Sequence, residues 1–324
     1  MIHERFPRTR ETLPRVAICD LPTPVRAAPG LGEGVWLKDD ALSADPWGGN
    51  KPRKLEWLLA DAKARRFGTV VTFGGLGTNH GLATAIYARR EGLDCVLALA
   101  DQPRDEHVER QLARLEAAAS RVYLTGSTRR TMLSVPYLAL RCAQARPPRP
   151  PYLVPPGGSS PLGAVGFVEA ALELAAQVEA GHLPEPRAIV VALGSGGSAA
   201  GLAAGLAIAG LRTRVAAVLV NDQLDLTERS VTKLAKRTLR LLAERGADTG
   251  AVEPNEVRVV EGHMGAGYGH PTPEAGEAIR LAAEAEQLGL DPVYTGKALA
   301  ALLAGAAGDG PLLFWNTNNG RPYA

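Results

Sequence analysis

Cysteine is scarce: Cys19, Cys95 and Cys142 are the only three in 324 residues, they lie far apart, and none belongs to a C-x-x-C pair. That excludes a disulfide framework and a thiolate zinc site, and leaves ordinary buried thiols of a reducing cytosol. Charge of one sign is lacking too. The 36 Lys and Arg against 34 Asp and Glu leave +2, too little to draw the chain onto nucleic acid or an anionic membrane. A small molecule is the expected partner. The longest weakly polar run, Ala199 to Leu211, is short and rich in Ala and Gly, whereas a bilayer span takes about 20 apolar residues. Met1 to Arg15 mixes charges with prolines and has no apolar stretch, so neither a signal peptide nor an anchor is expected. None of the six His forms H-E-x-x-H, and no acidic cluster has metal-ligand spacing. No catalytic metal is expected. No internal repeat of fixed period is visible.

What is present suffices for one large α/β domain or two smaller ones: 46% of the residues are hydrophobic and 22% charged. Short runs rich in Val, Ile or Leu (69–73, 95–100, 187–193 and 215–220) alternate with helical stretches, the pattern of parallel strands joined by crossover helices. Leu55, Leu58, Leu59 and Ala62 share one helical face, and Pro52 suits a first turn, so Lys51 is placed at a helix start. Further helices are expected over 79–91, 106–119, 164–179, 198–210, 227–245, 273–287 and 296–304. The proline-dense stretch 146–156, RPPRPPYLVPP, cannot continue a helix or sit in a central strand. It reads as a connector between two lobes, with a strand-and-helix series on either side and a ligand cleft between them.

Four segments carry chemistry. In Gly48-Gly49-Asn50-Lys51-Pro52-Arg53-Lys54-Leu55-Glu56, three cations crowd the positive end of a helix, each unfavourable by roughly 0.3–1 kcal/mol unless compensated. A solvated basic turn is one reading. The sharper one is a lysine that loses its charge as a Schiff base, beside cations that hold a phosphate. Leu193-Gly194-Ser195-Gly196-Gly197-Ser198-Ala199 follows a strand and opens a helix; its backbone N–H groups and serines suit a phosphate, though a tight turn alone also accounts for it. No Gly-Lys-Ser/Thr follows, which excludes a P-loop. A dinucleotide site lacks its third glycine at Ala199, yet Asp222, after the next strand, suits a ribose and keeps that alternative open.

In Gly74-Gly75-Leu76-Gly77-Thr78-Asn79-His80, Thr78 reads as an N-cap, and the exposed N–H groups with the Thr and Asn donors suit a substrate carboxylate. His80 alone reads more readily as a structural residue than as a catalytic one. Near the C-terminus, Gly265 to Gly269 holds Tyr268, Asp291-Pro292-Val293-Tyr294-Thr295-Gly296-Lys297 holds Tyr294, and Phe314 to Gly320 holds Asn316, Thr317, Asn318 and Asn319. Each sits at turns, where sites are built.

Taken together, GGNKPRKLE, TNH, GSGGS and DPVYTGKA resemble the family of pyridoxal-phosphate (PLP) enzymes that groups 1-aminocyclopropane-1-carboxylate deaminase with D-cysteine desulfhydrase. The resemblance runs from Trp36 to Phe314. It implies a tryptophan synthase β-like fold of class α/β: two lobes, each a mostly parallel twisted sheet covered by helices, with PLP in the cleft. The large domain would comprise 1–53 and 163–324, the small one 54–162. Carried over by motif, Lys51 is the Schiff-base lysine. Asn50, Lys54 and the loop Gly194, Ser195, Gly196, Gly197, Ser198 hold the cofactor and its phosphate, and Asn79 reaches the ring hydroxyl. Thr78, Asn79 and His80 face the substrate carboxylate, with Tyr268 and Tyr294 over the reacting atoms. A cytoplasmic homodimer is implied.

Two departures stand out. Thr78 replaces the family's usual Ser, adding a methyl that crowds the substrate side, and Asn316-Thr317-Asn318-Asn319 replaces His-Thr-Gly-Gly. The ring-opening deaminases carry Glu where this chain has Thr295, and Thr317 is a second hydroxyl candidate for the ring nitrogen. A hydroxyl there favours β-elimination of the D-cysteine desulfhydrase type, giving ammonia and a 2-oxo acid. Ring-opening deamination, an NAD-dependent oxidoreductase and a non-catalytic PLP binder are the alternatives.

Overall fold

The computed structural model describes residues 1–104, 106–142 and 150–321. The Cys142 side chain and the Arg146 to Arg149 part of the expected connector lie outside the described residues. The chain opens with two single-turn helices, α1 (Ile2–Arg5) and α2 (Thr9–Thr12), then the hairpin β1 (Val25–Ala27) and β2 (Val35–Asp39), then α3 (Asn50–Ala64). A first α/β series follows: β3 (Thr69–Gly75), α4 (Asn79–Arg90), β4 (Asp94–Ala100), α5 (Glu106–Ala118), β5 (Arg121–Gly126), α6 (Thr128–Cys142) and β6 (Tyr152–Leu153). The second comprises α7 (Pro161–Glu179), β7 (Ala188–Leu193), α8 (Gly197–Ala209), β8 (Arg214–Leu219), α9 (Glu228–Glu244), β9 (Val257–Val260), α10 (Pro273–Glu286), α11 (Thr295–Leu303) and β10 (Leu312–Asn316).

The strands form two sheets, six strands in the order β1-β2-β10-β7-β8-β9 and four in the order β5-β4-β3-β6. Every pairing is parallel except β1 with β2. The doubly buried centre of the larger sheet explains why β7 reads as the unbroken apolar run AIVVAL. A simple division before and after the proline stretch does not hold: β1 and β2 precede it in sequence and yet join the sheet built from residues after it, because β2 registers beside β10 from Val35–Leu312 to Asp39–Asn316. Within the stretch itself, β6 takes the edge position beside β3, where a missing N–H is tolerated.

The apolar helix that matters most is α7. Its 19 residues are long and apolar enough to cross a membrane, so Ala199 to Leu211 is not the longest such run; 72% of its most apolar window is buried inside the protein. It packs on α8, whose alternation of Gly, Ala and Leu lets two helices approach closely. Helix α3 spans both cores, with Trp57 in the core of the larger sheet and Leu55, Leu58, Leu59 and Ala62 in that of the smaller.

Candidate active site

The four segments singled out above meet in one cleft. It encloses about 920 Å³, part of it open to solvent, and its walls come from the loops after β3, β7, β8 and β10 together with the start of α3. Loops at the carboxyl ends of parallel strands are where α/β folds bind ligands.

Lys51 is the second residue of α3. Its Nζ donates to Asn50 Oδ1 at 2.6 Å, and Asn50 Nδ2 donates to Ser198 Oγ at 3.2 Å, which couples the lysine to the glycine loop. Burial lowers the Lys51 ammonium to about 8, against an upward pull from the charge of Asp291. Burial, and then the charge of Lys51, hold Lys54 well below the ordinary lysine range. The third cation of the motif has a different fate. Arg53 is buried between Asp40, at 2.8 Å, and Glu173, at 3.0 Å; it is compensated inside the protein and does not face the cleft.

The glycine loop opens α8, with Gly194, Ser195, Gly196 and Ser198 on the cleft wall. Gly197 N donates to Ser159 Oγ at 2.9 Å, and Ser159 Oγ lies 2.8 Å from Ser195 Oγ. A β-carbon at Gly197 would stand 2.6 Å from Ser159 Oγ and 3.1 Å from Lys54 Nζ, so only glycine leaves this cradle open. Ser159 went unnoticed in the sequence; the signal was its own run, Gly157-Gly158-Ser159-Ser160, which repeats the loop's composition.

Thr78 caps α4 as expected, its Oγ1 accepting Gly81 N at 3.2 Å. Its methyl packs beside two glycines: a β-carbon at Gly81 would stand 2.5 Å from Cγ2, and one at Gly74 would stand 2.9 Å from it. Asn79 Oδ1 accepts from Gln111 Nε2 at 3.0 Å. His80 is buried, its ring Nε2 lies 3.0 Å from Thr72 Oγ1, and its Nδ1 has no partner. Burial, then the charges of Lys51 and Lys54, push His80 well below its ordinary range. The neutral ring therefore brings no charge to a carboxylate, and the helix start itself, with its backbone N–H groups, supplies that attraction.

On the opposite wall the Tyr268 and Tyr294 hydroxyls lie 2.5 Å apart. Burial raises both phenols, Tyr294 strongly. The two hydroxyl candidates separate. Thr317 lines the cleft. Thr295 is not among the lining residues: its Oγ1 donates to Asp291 Oδ2 at 2.7 Å and accepts Asp291 N at 2.9 Å, which engages its hydroxyl at the start of α11. Asp291 in turn accepts the N–H groups of Val293, Tyr294 and Thr295 and secures the start of α11. Of the departures near the C-terminus, Asn318 and Asn319 both line the cleft, and Asn319 also accepts Gly48 N at 2.7 Å, which braces the turn before Lys51.

A family model described as pyridoxal-phosphate dependent enzyme matches residues 18–317. The chain belongs to that family. Among its relatives, the D-cysteine desulfhydrases of Salmonella paratyphi A and Salmonella typhimurium are each 34% identical over 316 residues, covering 94% of this chain and 93% of theirs. A solved structure described as an ACC deaminase homologue superposes with a TM-score of 0.82 at 32% identity, covering 98% of this chain and 95% of that one. The L-serine ammonia-lyase of the fungus Rhizomucor miehei shares the fold, with a TM-score of 0.62 at 20% identity over 92% and 93% of the two chains.

As a PLP-dependent enzyme the chain has a site that suits its cofactor. Two lysines without an ion pair among the described residues, an open glycine cradle beside one of them, and the orphaned Nδ1 of His80 call for a group with an anionic end and polar edges. The dinucleotide reading falls, both to the family and because Asp222 already accepts Tyr268 N, at 3.2 Å.

Proposed function

We propose that this PLP-dependent enzyme is a lyase that eliminates the β-substituent of a small amino acid, in the manner of the D-cysteine desulfhydrases it is similar to. The observation that carries the reading is the state of the carboxylates: among the described residues lining the cleft, Asp291 is the sole one, and four donors from the α11 start occupy it. No acid is left to protonate a ring nitrogen, and Thr317 offers a neutral hydroxyl instead. That arrangement favours loss of a good leaving group over ring opening.

In this reading Lys51 binds the cofactor covalently, Asn50 orients the Lys51 amine, and Lys54 with the Gly194 to Ser198 loop and Ser159 takes the phosphate. Asn79 reaches the ring hydroxyl and Thr317 the ring nitrogen. When bound, the cofactor supplies an aldehyde that captures amines and a ring that accepts electrons from the substrate's α-carbon. The start of α4 orients the substrate by its carboxylate. Lys51 Nζ, poised near neutrality by burial, takes the α-proton. The Tyr268–Tyr294 pair keeps both phenols protonated at neutral pH and hands a proton to the departing sulfur. With D-cysteine and water, the balanced products are sulfide, ammonia and a 2-oxo acid.

The lobes of this reading are 1–53 with 163–324 and 54–162, supported by the origin of the strands in the two sheets; a cytosolic homodimer belongs to it too. The test is turnover of D- and L-amino acids and of 1-aminocyclopropane-1-carboxylate by the holoenzyme, with sulfide, ammonia and 2-oxo acid measured separately. Sulfide from D-cysteine is expected. Efficient ring opening without it would overturn the reading.

A further inference from the structure

Two charged groups outside that scheme, Asp222 and Lys297, converge on a single loop. The loop runs from Met264 to Gly269 and carries Tyr268, which lines both the inner cleft and the outer vestibule in front of it. Gly265, Gly267 and Gly269 all have positive φ, at +70°, +130° and +85°. Such a segment has little conformational preference of its own, and its one backbone–backbone hydrogen bond among the described residues comes from the residue just past it, His270 N to Gly267 O, at 3.3 Å.

Outside groups hold it instead. Fully buried Lys297 reaches from α11 to donate to Met264 O at 2.7 Å. From beyond the end of β8, Asp222 Oδ1 accepts the backbone N–H of Tyr268 itself, at 3.2 Å. The fit around that second tether is close. A β-carbon at Gly267 would stand 3.1 Å from Asp222 Oδ2, a tight approach that only a shift of the carboxylate would relieve.

We propose that Asp222 and Lys297 are positioning residues that hold the loop at two points and so set where the Tyr268 hydroxyl meets that of Tyr294. The proposal rests on the reading that this tyrosine pair serves the reacting atoms. Lys297 fixes where the loop begins. Asp222 fixes the backbone of the tyrosine itself, so any slack there passes directly to the side chain.

The test uses the full-length holoenzyme and three variants, Asp222→Ala, Asp222→Asn and Lys297→Met, with amide hydrogen exchange of the loop and steady-state kinetics on the best substrate. In Asp222→Ala the Tyr268 amide should exchange roughly tenfold faster and kcat should fall by a similar factor, the worth of one ordinary hydrogen bond, with KM little changed. Asp222→Asn keeps an acceptor oxygen and should restore both. Lys297→Met should speed exchange across the loop; the exposed Asp222 pair keeps the test intact if that buried change prevents folding. Unaltered Tyr268 exchange in Asp222→Ala, or a kcat loss that Asn fails to rescue, would overturn the proposal. Exchange needs no turnover, so the expected exchange pattern in a wild type that eliminates from no amino acid sustains the tether while the functional reading fails.

Discussion

Lys51 Nζ lies 6.0 Å from the centre of the Tyr294 ring, and its direct hydrogen bond goes to the neutral carboxamide of Asn50. An aromatic face and an amide stabilise an ammonium weakly, so burial dominates and lowers the amine to about 8. Lys51→Ala should keep the fold, since Ala is favoured in helices and an unfavourable cation is lost. The visible absorbance of covalently held cofactor should disappear. Retention of that absorbance would move the attachment, with Lys54 the next amine on the wall.

The same amine sets a pH dependence. At pH 7 Lys51 is mostly protonated, and raising the pH through about 8 uncovers its lone pair. Capture of added pyridoxal phosphate by the cofactor-free protein should therefore accelerate through that range and then level off. An ordinary exposed lysine would keep accelerating to about pH 10.4. Stopped-flow absorbance across the range reads the inflection.

At Gly196, where φ is +85°, the nearest atoms to an added β-carbon are Leu226 and Val231 side-chain carbons at 3.7 and 3.8 Å. There is room for a side chain, and charge decides the outcome. Gly196→Asp should weaken cofactor retention sharply by repelling the phosphate, whereas Gly196→Asn, which tolerates this backbone conformation, should weaken it far less. Equal retention of cofactor by the two variants after dialysis would return the loop to a purely structural role.

Thr317 and Thr295 should respond in opposite ways. Thr317→Val should leave the melting temperature unchanged but shift the bound cofactor's spectrum and lower kcat, because the proposed function assigns the Thr317 hydroxyl, which lines the cleft, to the ring nitrogen. Thr295→Val should instead cost about 1–2 kcal/mol of stability by breaking the exchange of hydrogen bonds with Asp291 at the start of α11. Thermal melts and absorbance spectra of the two variants distinguish these outcomes.

The central βα units were legible because burial on both faces leaves runs such as AIVVAL, and because glycines and capping residues punctuate them. The hairpin was not. Lys38 and Asp39 make β2 look solvent-facing, yet Lys38 is buried against Thr23 and against Glu173 and Gln177, which lie 135 and 139 positions further along the chain. Pro136 concealed α6. In the cleft, single motifs were legible as clusters of donors, but what each donor faces depends on neighbours elsewhere in the chain. Arg53 turns to Asp40 and Glu173, Thr295 turns to Asp291, and Ser159 arrives from 36 residues away to meet Ser195. Spacing along the chain holds no record of these turns.

Seating Lys51 and Lys54 together at a helix start ties the stability of the fold to its cofactor. Two poorly compensated amines make the cofactor-free chain the weaker fold, and a phosphate-bearing ligand recognised by the native state alone adds about 2.7 kcal/mol at a hundredfold excess over its dissociation constant. The cofactor-free protein should therefore melt at a lower temperature than the loaded one and be cut sooner by added protease.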